Sequence, residues 1–342
     1  MSPSAPHAIR LPTPLVIGHR GAPGYRPEHT RSSYELALAQ GVDAVEPDVV
    51  FTRDRVAVVR HENEIGSTTD VADRPEFADR FTTKIVDGVP LQGWFTEDFT
   101  WDELSTLRCR ERLPQLRPRS AAFDDQEPPL RLRELLDLVA AASTSSSRQV
   151  AVVLEIKHAT YFESVGFDVA SLLAAELASA GWPGAGRPLI VESFEPTILG
   201  RLRAVGIPAA FVLLYEDDGR PYDLVAQQGD AAPTYRSLAM PEALDALAPT
   251  LEGISVDKLT LLAGGARIVD DAHARGLAVF TWTCRPENVF LDPRFRRGED
   301  DAAFGDYAGE WRHIAGTGVD GIFVDHPDLG VATVRGAAAQ AR

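Results

Sequence analysis

The sequence predicts an α/β fold, a TIM (β/α)8 barrel with an inserted subdomain over its catalytic face. Short apolar runs alternate with helical patterns along most of the chain, which is typical of a parallel sheet with crossover helices. Eight of these runs are predicted strands, and eight strands close such a barrel. They end near His19, Asp48, Lys157, Phe194, Tyr215, Asp257, Thr283 and Asp325. An open doubly wound sheet is the alternative, but no G-x-G-x-x-G motif follows the first strand.

Residues 62–131 interrupt the alternation and predict an insertion. They combine many charges with the aromatic residues Phe77, Phe81, Trp94, Phe95, Phe99 and Trp101, and aromatic side chains favour burial. We expect this segment to be helical in part near residues 100–112 and to lie over one end of the barrel. Without it about 270 residues remain, close to the ~250 of a typical barrel. We therefore predict one catalytic domain over residues 13–332.

The first predicted strand, residues 15–19, delivers His19 and Arg20 to the edge of the barrel, where a loop rich in glycine and proline follows. Imidazole transfers protons near neutral pH, and guanidinium donates a forked pair of hydrogen bonds to phosphate. The pair therefore suits phosphoryl chemistry. A core histidine beside a surface arginine is the alternative for the dipeptide alone.

A predicted helix over residues 30–40 leads to a hairpin that carries more polar residues. Its first strand, residues 43–52, places Glu46 and Asp48 on one face. The second strand returns to His61 and brings it roughly opposite Asp48. One hairpin would then gather two carboxylates and an imidazole.

Beyond the insertion the regular alternation resumes. We predict strands at 149–157, 188–194, 209–215, 252–257, 277–283 and 321–325, and helices at 132–142, 167–180, 196–205, 241–248, 266–275 and 304–316. Glu155 and Lys157 share one face at the end of the first of these strands, because strand residues two apart point the same way.

Three carboxylates, Glu46, Asp48 and Glu155, therefore converge at one mouth of the predicted barrel. They would repel each other strongly unless a cation lay among them. Hard oxygen ligands without a cysteine or histidine cluster favour Mg²⁺ or Ca²⁺ over Zn²⁺. Each carboxylate alone could be a solvated strand end, but the three together indicate a site for one divalent cation.

The composition limits which partners the chain is expected to bind. The formal net charge is −16, whereas non-specific binding to nucleic acid or anionic membrane requires a basic surface, so we expect neither partner. Residues 1–7 lack the features of a signal peptide, and we expect a cytoplasmic location, although a trimmed secreted protein would look the same. Cys109 and Cys284 are expected to be buried thiols. The oligomeric state stays open.

Several motifs, in this order, carry a resemblance to a known family. They are His19-Arg-Gly with Pro27-Glu28, Glu46-x-Asp48, His61, Glu155-Ile-Lys157, Ser193-Phe194, Trp282-Thr283 and the closing stretch 318–327. Together they resemble the glycerophosphodiester phosphodiesterases, in particular the longer form with an insertion after the second histidine. The resemblance extends from about Leu15 to Leu329.

The resemblance implies a role for each of these residues. A divalent cation is held by Glu46, Asp48 and Glu155, and His19 and His61 form the acid/base pair. Arg20 and Lys157 hold the phosphate, and Phe194 and Trp282 line the substrate pocket. The implied reaction is hydrolysis of a small phosphodiester, such as glycerophosphocholine or glycerophosphoethanolamine, to glycerol 3-phosphate and an alcohol.

The sequence departs from the family pattern at three places. His29 stands where asparagine is usual, Glu62 replaces the aspartate after the second histidine, and Cys284-Arg285 stands where asparagine is usual. A phospholipase D or sphingomyelinase D type barrel, acting on long-chain lipids, is the second interpretation. A barrel that binds phosphate esters without catalysis is the third, and it predicts the loss of a histidine or carboxylate that this chain retains.

Overall fold

The computed structural model describes residues 13–146, 148–184, 187–264 and 266–340. Residues 1–7, where the sequence predicts no signal peptide, lie outside these described ranges. In the described residues the strands are, in chain order, β1 (Leu15–His19), β2 (Ala44–Glu46), β3 (Asp48–Phe51), β4 (Ala57–Val59), β5 (Thr82–Val86), β6 (Val89–Gly93), β7 (Leu130–Arg131), β8 (Ala151–Ile156), β9 (Leu189–Ser193), β10 (Ala210–Tyr215), β11 (Gly253–Asp257), β12 (Ala278–Cys284) and β13 (Gly321–Val324).

Helices cover most of the connections between these strands. In chain order they are α1 (Arg31–Ala39), α2 (Trp101–Leu104), α3 (Pro118–Ala121), α4 (Leu132–Ser146), α5 (Ala159–Ser164), α6 (Val169–Ser179), α7 (Pro196–Ala204), α8 (Tyr222–Gln228), α9 (Tyr235–Leu238), α10 (Pro241–Leu247), α11 (Lys258–Gly264), α12 (Arg267–His273), α13 (Tyr307–Ala315) and α14 (Pro327–Gln340). Short 3-10 helices cover Val71–Asp73, Pro75–Arg80, Thr96–Asp98, Gly229–Ala231, Asn288–Phe290 and Pro293–Phe295. No helix in the described ranges is long and apolar enough to cross a bilayer.

The wall is a closed barrel of eight parallel strands, which confirms the predicted fold. β1 pairs with β2 on one side and with β13 on the other, and β8 to β13 follow one another in order. β2 and β3 occupy a single position in the wall and both pair with β8. They are separated at Pro47, which has no N–H to donate to a neighbouring strand.

Alternation along each strand separates an inner core from an outer one. Leu15 and Ile17 belong to the inner cluster, while Val16 packs in the outer cluster between wall and helices. Ala151 and Val153 also face inward, and Val152 faces outward. Because strand residues two apart share a face, the next inward positions on these strands fall at the carboxyl end of the barrel, where active sites of this fold lie.

The predicted insertion contains the β5–β6 hairpin, short helices and a small core of its own. Phe77 and Phe99 are buried in that core, whereas Phe81 is half-exposed. The helix expected near residues 100–112 is limited to α2, because the backbone from Arg108 to Arg110 instead bonds to residues 68–70. The bounds 13–332 and 62–131 stay a prediction.

The β3–β4 hairpin differs in register from the expectation. Val49 pairs with Val59, and the Arg60 N–H donates to the Asp48 carbonyl oxygen over 3.0 Å. Asp48 therefore lies opposite Arg60, and His61 follows one position later, because the turn between the strands fixes their pairing. Cys109 and Cys284 are buried free thiols, as expected.

Candidate active site

A cavity of about 1100 Å³ opens at the carboxyl ends of the wall strands. Its lining includes eight of the nine predicted site residues: His19, Arg20, His61, Glu46, Glu155, Lys157, Phe194 and Trp282. The ninth, Asp48, is fully buried beside them. The structure thus brings residues from β1, β2, β3, β8, β12 and the loops after β1, β4, β8 and β9 to one place.

Glu46, Asp48 and Glu155 form the cluster at the base of this cavity. Each offers a carboxylate oxygen, and these three oxygens lie within 4.8 Å of one another. The wall explains the convergence, since Glu46 pairs with His19 and Asp48 pairs with Glu155 across neighbouring strands. The cluster could hold a metal ion.

The electrostatics of the cluster fit a divalent cation. Burial, and then repulsion from Asp48 and Glu155, raises the pKa of Glu46 well above its usual range. Burial also raises the pKa of Glu155 to about 8. Asp48 Oδ1 is buried and accepts no hydrogen bond from the described residues. A doubly charged ion would relieve the repulsion and satisfy this oxygen, and the donor set of carboxylates suits a hard cation.

Arg20 and Lys157 place two positive charges against these carboxylates. Lys157 Nζ lies 2.6 Å from Glu155 Oε1 and 3.3 Å from Asp48 Oδ1. The Arg20 backbone N–H donates to Glu46 Oε2 over 2.7 Å, and its Nη1 donates to Glu28 Oε2 over 3.0 Å. Arg20 has a positive φ of 54°, a strained backbone of the kind found at functional sites.

His19 is oriented by a buried carboxylate. Its Nδ1 lies 2.7 Å from Asp325 Oδ1, and its Nε2 accepts from Arg20 Nε over 3.2 Å. A carboxylate only accepts, so Nδ1 carries the proton in the neutral ring. Burial and the charge of Arg20 lower the pKa of His19 to about 4, against the opposing effect of Asp325. The imidazole is therefore neutral near pH 7.

His61 has a similar but more exposed environment. Its Nδ1 lies 2.5 Å from Glu62 Oε1, which leaves Nε2 as the acceptor nitrogen. Burial, together with the charges of Arg20 and Lys157, lowers the pKa of His61 to about 3. The side chain is 27% exposed, compared with 10% for His19.

Aromatic rings form part of the cavity wall. Phe194 and Trp282 meet edge to face with centroids 5.7 Å apart, and Tyr235 lies 6.1 Å from Phe194. Glu216 and Asp257 line the same cavity. This region combines aromatic faces with carboxylates, which is the chemistry that binds organic cations.

Sequence reasoning missed several residues of the site. The Glu192 carboxylate is buried in the cavity wall, and burial followed by repulsion from Glu155 raises its pKa well above the usual range. His29, one of the departures from the family pattern, is fully buried and its Nε2 lies 2.8 Å from Asp48 Oδ2. The alternation of residues along β9 could have identified Glu192, because Ile190, two residues earlier, faces inward. No periodic signal marks the loop residue His29.

The other departures lie close to the cavity. Glu62 and Arg285 line it, whereas Cys284 is fully buried in the outer core. Glu62 is the partner of His61, and Arg285 Nε donates to Asp325 Oδ2 over 2.8 Å. Both residues therefore act on the two imidazoles through contacts that the sequence pattern did not reveal.

Neutral imidazoles, two cations and an acidic cluster around one cavity suit acid/base chemistry on an anionic ester. With the barrel fold, they define the chain as a hydrolase of phosphate esters. A model of the glycerophosphoryl diester phosphodiesterase family matches residues 19–329. The chain belongs to that family and is a phosphoric diester hydrolase.

Curated relatives agree with this assignment. The chain is 30% identical over 345 residues to glycerophosphodiester phosphodiesterase GDPD6 of Arabidopsis thaliana, in an alignment that covers 94% of this chain and 87% of the relative. It is 28% identical over 202 residues to the glycerophosphodiester phosphodiesterase of Treponema pallidum, which covers 57% of this chain and 54% of the relative.

Solved structures share the fold. A glycerophosphodiester phosphodiesterase from Agrobacterium tumefaciens superposes with a TM-score of 0.56 at 18% identity, covering 93% of this chain and 99% of that chain. A phosphodiesterase from Oleispira antarctica, solved with the product sn-glycerol-3-phosphate, gives a TM-score of 0.63 at 19% identity and covers 94% and 97% of the two chains.

Proposed function

We propose that the chain hydrolyses small glycerophosphodiesters, such as glycerophosphocholine or glycerophosphoethanolamine, to glycerol 3-phosphate and an alcohol. His19 and His61 are the proposed acid/base pair. The observation that carries the proposal is the position of both imidazoles in one cavity beside Arg20, Lys157 and the acidic cluster. The product bound to the Oleispira antarctica phosphodiesterase is the one that this reaction would release.

Glu46, Asp48 and Glu155 would hold one divalent cation, Ca²⁺ or Mg²⁺, as the acidic cluster and the Asp48 oxygen without a hydrogen bond suggest. When bound, the ion would supply positive charge that stabilises the phosphorane-like transition state. Arg20 and Lys157 contribute charge to the same end, because both side chains line the cavity beside the carboxylates.

The proton transfers are assigned to the two imidazoles. One accepts a proton from the nucleophile, which is either the glycerol 2-hydroxyl of the substrate or a water molecule, and the other donates a proton to the departing alcohol oxygen. Both rings are neutral in the free protein, and the bound phosphodiester anion favours the protonated form of the ring that it contacts. If a cyclic phosphate forms, the rings exchange roles in the step that opens it.

The head group of the substrate is assigned to the aromatic region. Phe194, Tyr235 and Trp282 would face a choline or ethanolamine cation, and Glu216 and Asp257 would add negative charge.

The test is turnover of glycerophosphocholine, glycerophosphoethanolamine and glycerophosphoglycerol by chelated protein with Ca²⁺ or Mg²⁺ added back. We expect release of glycerol 3-phosphate only after a cation is restored, with the two cationic head groups preferred. Turnover that persists in chelator would remove the cation from the proposal, and the absence of glycerol 3-phosphate in every arm would overturn the function.

A lipid phosphodiesterase is the second candidate, because three exposed apolar side chains stand at the mouth of the cavity. Val89 is 54% exposed, Leu259 48% and Val289 37%, and all three line the opening. Micellar lysophosphatidylcholine, assayed beside glycerophosphocholine, separates the two candidates. Faster turnover of the micellar lipid would favour this second function.

A further inference from the structure

Two arginines from the predicted insertion contact the carboxylates behind the histidines. Arg112 Nη1 donates to Glu62 Oε1 over 2.9 Å, and its Nη2 donates to Glu62 Oε2 over 2.6 Å. Glu62 in turn accepts from His61 Nδ1. The guanidinium therefore grips both oxygens of the carboxylate that orients this imidazole.

Arg117 makes the corresponding contact on the other side of the cavity. Its Nη2 donates to Asp325 Oδ2 over 2.6 Å, and its Nε donates to Glu287 Oε1 over 2.7 Å. The Arg117 side chain is only 4% exposed. Asp325 is the carboxylate partner of His19, so one segment of six residues, 112–117, supplies an arginine to the partner of each histidine.

Arg112 also reaches the phosphate-binding side of the site. Its Nε and Nη2 donate to the two oxygens of Glu28, over 2.9 Å and 2.6 Å. Glu28 accepts from Arg20 Nη1. The single guanidinium thus bridges two carboxylates, one behind His61 and the other behind Arg20.

The geometry has a direct chemical consequence. A carboxylate held by two parallel N–H donors keeps its charge and its orientation, and such a carboxylate fixes the tautomer and angle of the imidazole that it accepts from. Among the described residues that line the cavity, neither Arg112 nor Arg117 appears. Any effect of these arginines on turnover must therefore pass through their carboxylate partners.

We propose that Arg112 and Arg117 are positioning residues, through which the insertion holds both imidazoles in their working orientation. The proposal rests on the proposed function of His19 and His61 as the acid/base pair. It assigns the insertion a part in catalysis in addition to covering one end of the barrel. A purely structural role, tying the insertion to the barrel, is the competing explanation.

The experiment compares R112A with R110A in glycerophosphocholine turnover. Arg110 lies two residues away in the same segment and makes comparable ion pairs, with Asp125 over 2.7 Å and Asp73 over 2.7 Å, but it has no contact with a histidine partner. We expect R112A to lower kcat about 10- to 100-fold, and R110A to leave kcat unchanged. Thermal unfolding of both variants controls for loss of structure.

Two further measurements separate positioning from structural support. Free guanidinium ion should restore part of the kcat of R112A, since it can occupy the space between Glu28 and Glu62. The double variant R112A/E62Q should lose no more kcat than the less active of the two single variants, because both changes break the same series of contacts. Equal kcat in R112A and R110A, or fully additive losses, would overturn the proposal.

R112K serves if R112A fails to fold. Lysine keeps the charge but cannot grip two carboxylate oxygens with parallel donors, so a folded R112K should still lose kcat, and a kcat equal to that of the wild type would count against positioning. An inactive wild-type protein would contradict the proposed function, whereas an active wild type with unaffected Arg112 variants would contradict this inference alone.

Discussion

The environments of His19 and His61 are built from the same parts but differ in depth. Each Nδ1 faces a carboxylate, and each carboxylate faces an arginine of the insertion. The Asp325 side chain is 1% exposed and contacts two arginines, whereas Glu62 is 29% exposed and contacts one. The His19 half, which consists of His19, Asp325 and two arginines, is thus buried and held by both arginines. The His61 half, which consists of His61, Glu62 and Arg112, is more open and held by one arginine.

This difference bears on how each half performs. Charge pairs in a buried environment are screened little by solvent, and those near the surface are screened more strongly. The His19 half therefore needs Asp325 to keep at least one charged partner, since an unpaired buried carboxylate is costly. The His61 half is screened more by solvent but has less redundancy, because Arg112 is its one holding residue in the described structure.

The largest expected effect comes from removing either imidazole. His19→Ala and His61→Ala should each lower kcat by about 10²- to 10⁴-fold, with circular dichroism that matches the wild type. Turnover of glycerophosphocholine at saturating cation measures the loss. More than a few per cent of residual activity in either variant would break the comparison, because the two halves would then not act as a pair.

Replacing Asp325 and replacing Glu62 should lower kcat to different extents. Asp325→Asn removes the negative charge that faces His19 Nδ1 and that Arg117 and Arg285 share, so we expect a loss of kcat on the order of 100-fold or more. Glu62→Gln, in the exposed half, should cost about tenfold. The kcat values of the two variants provide the check, and a larger loss for Glu62→Gln would reverse the assigned order.

The inward-facing part of the site could be predicted from the sequence because the period of a strand is simple. Leu15 and Ile17 face inward, so His19 follows them to the mouth of the barrel, and Ala151 leads to Glu155 in the same way. Eight strands in parallel α/β order then place such ends on one side. The resemblance to a family assigned roles to these positions.

The holding residues could not be predicted in this way. Arg112 and Arg117 lie outside regular strands and helices, in a segment whose path depends on pairing between distant residues, such as Thr69 with Cys109. Their contacts span up to 208 residues in sequence. No local period or turn signal encodes contacts of that range. The one-residue difference in the hairpin at Asp48 has a local cause instead, namely the pairing that its turn imposes.

The pH dependence of stability tests the depth of the His19 half. Because the pKa of His19 is lowered from 6.5 to about 4, the unfolded chain binds more protons than the folded protein between these pH values. The free energy of unfolding should therefore fall as the pH drops from about 7 to about 4, by up to ~3 kcal/mol from this residue. Urea unfolding of chelated wild type and His19→Asn at several pH values isolates this contribution, which the variant should lack.

The smallest expected effect is at Arg285, which departs from the family pattern. Arg285 and Arg117 donate to the same oxygen of Asp325, over 2.8 Å and 2.6 Å. If the buried half is doubly held, Arg285→Ala leaves Asp325 ionised and oriented by Arg117, and kcat should fall less than about fivefold. The same deletion in the singly held half, Arg112→Ala, should cost more. Steady-state kinetics of the two variants side by side measure this difference, and an equal loss would mean that Asp325 requires both arginines and that the second arginine gives the His19 half no redundancy.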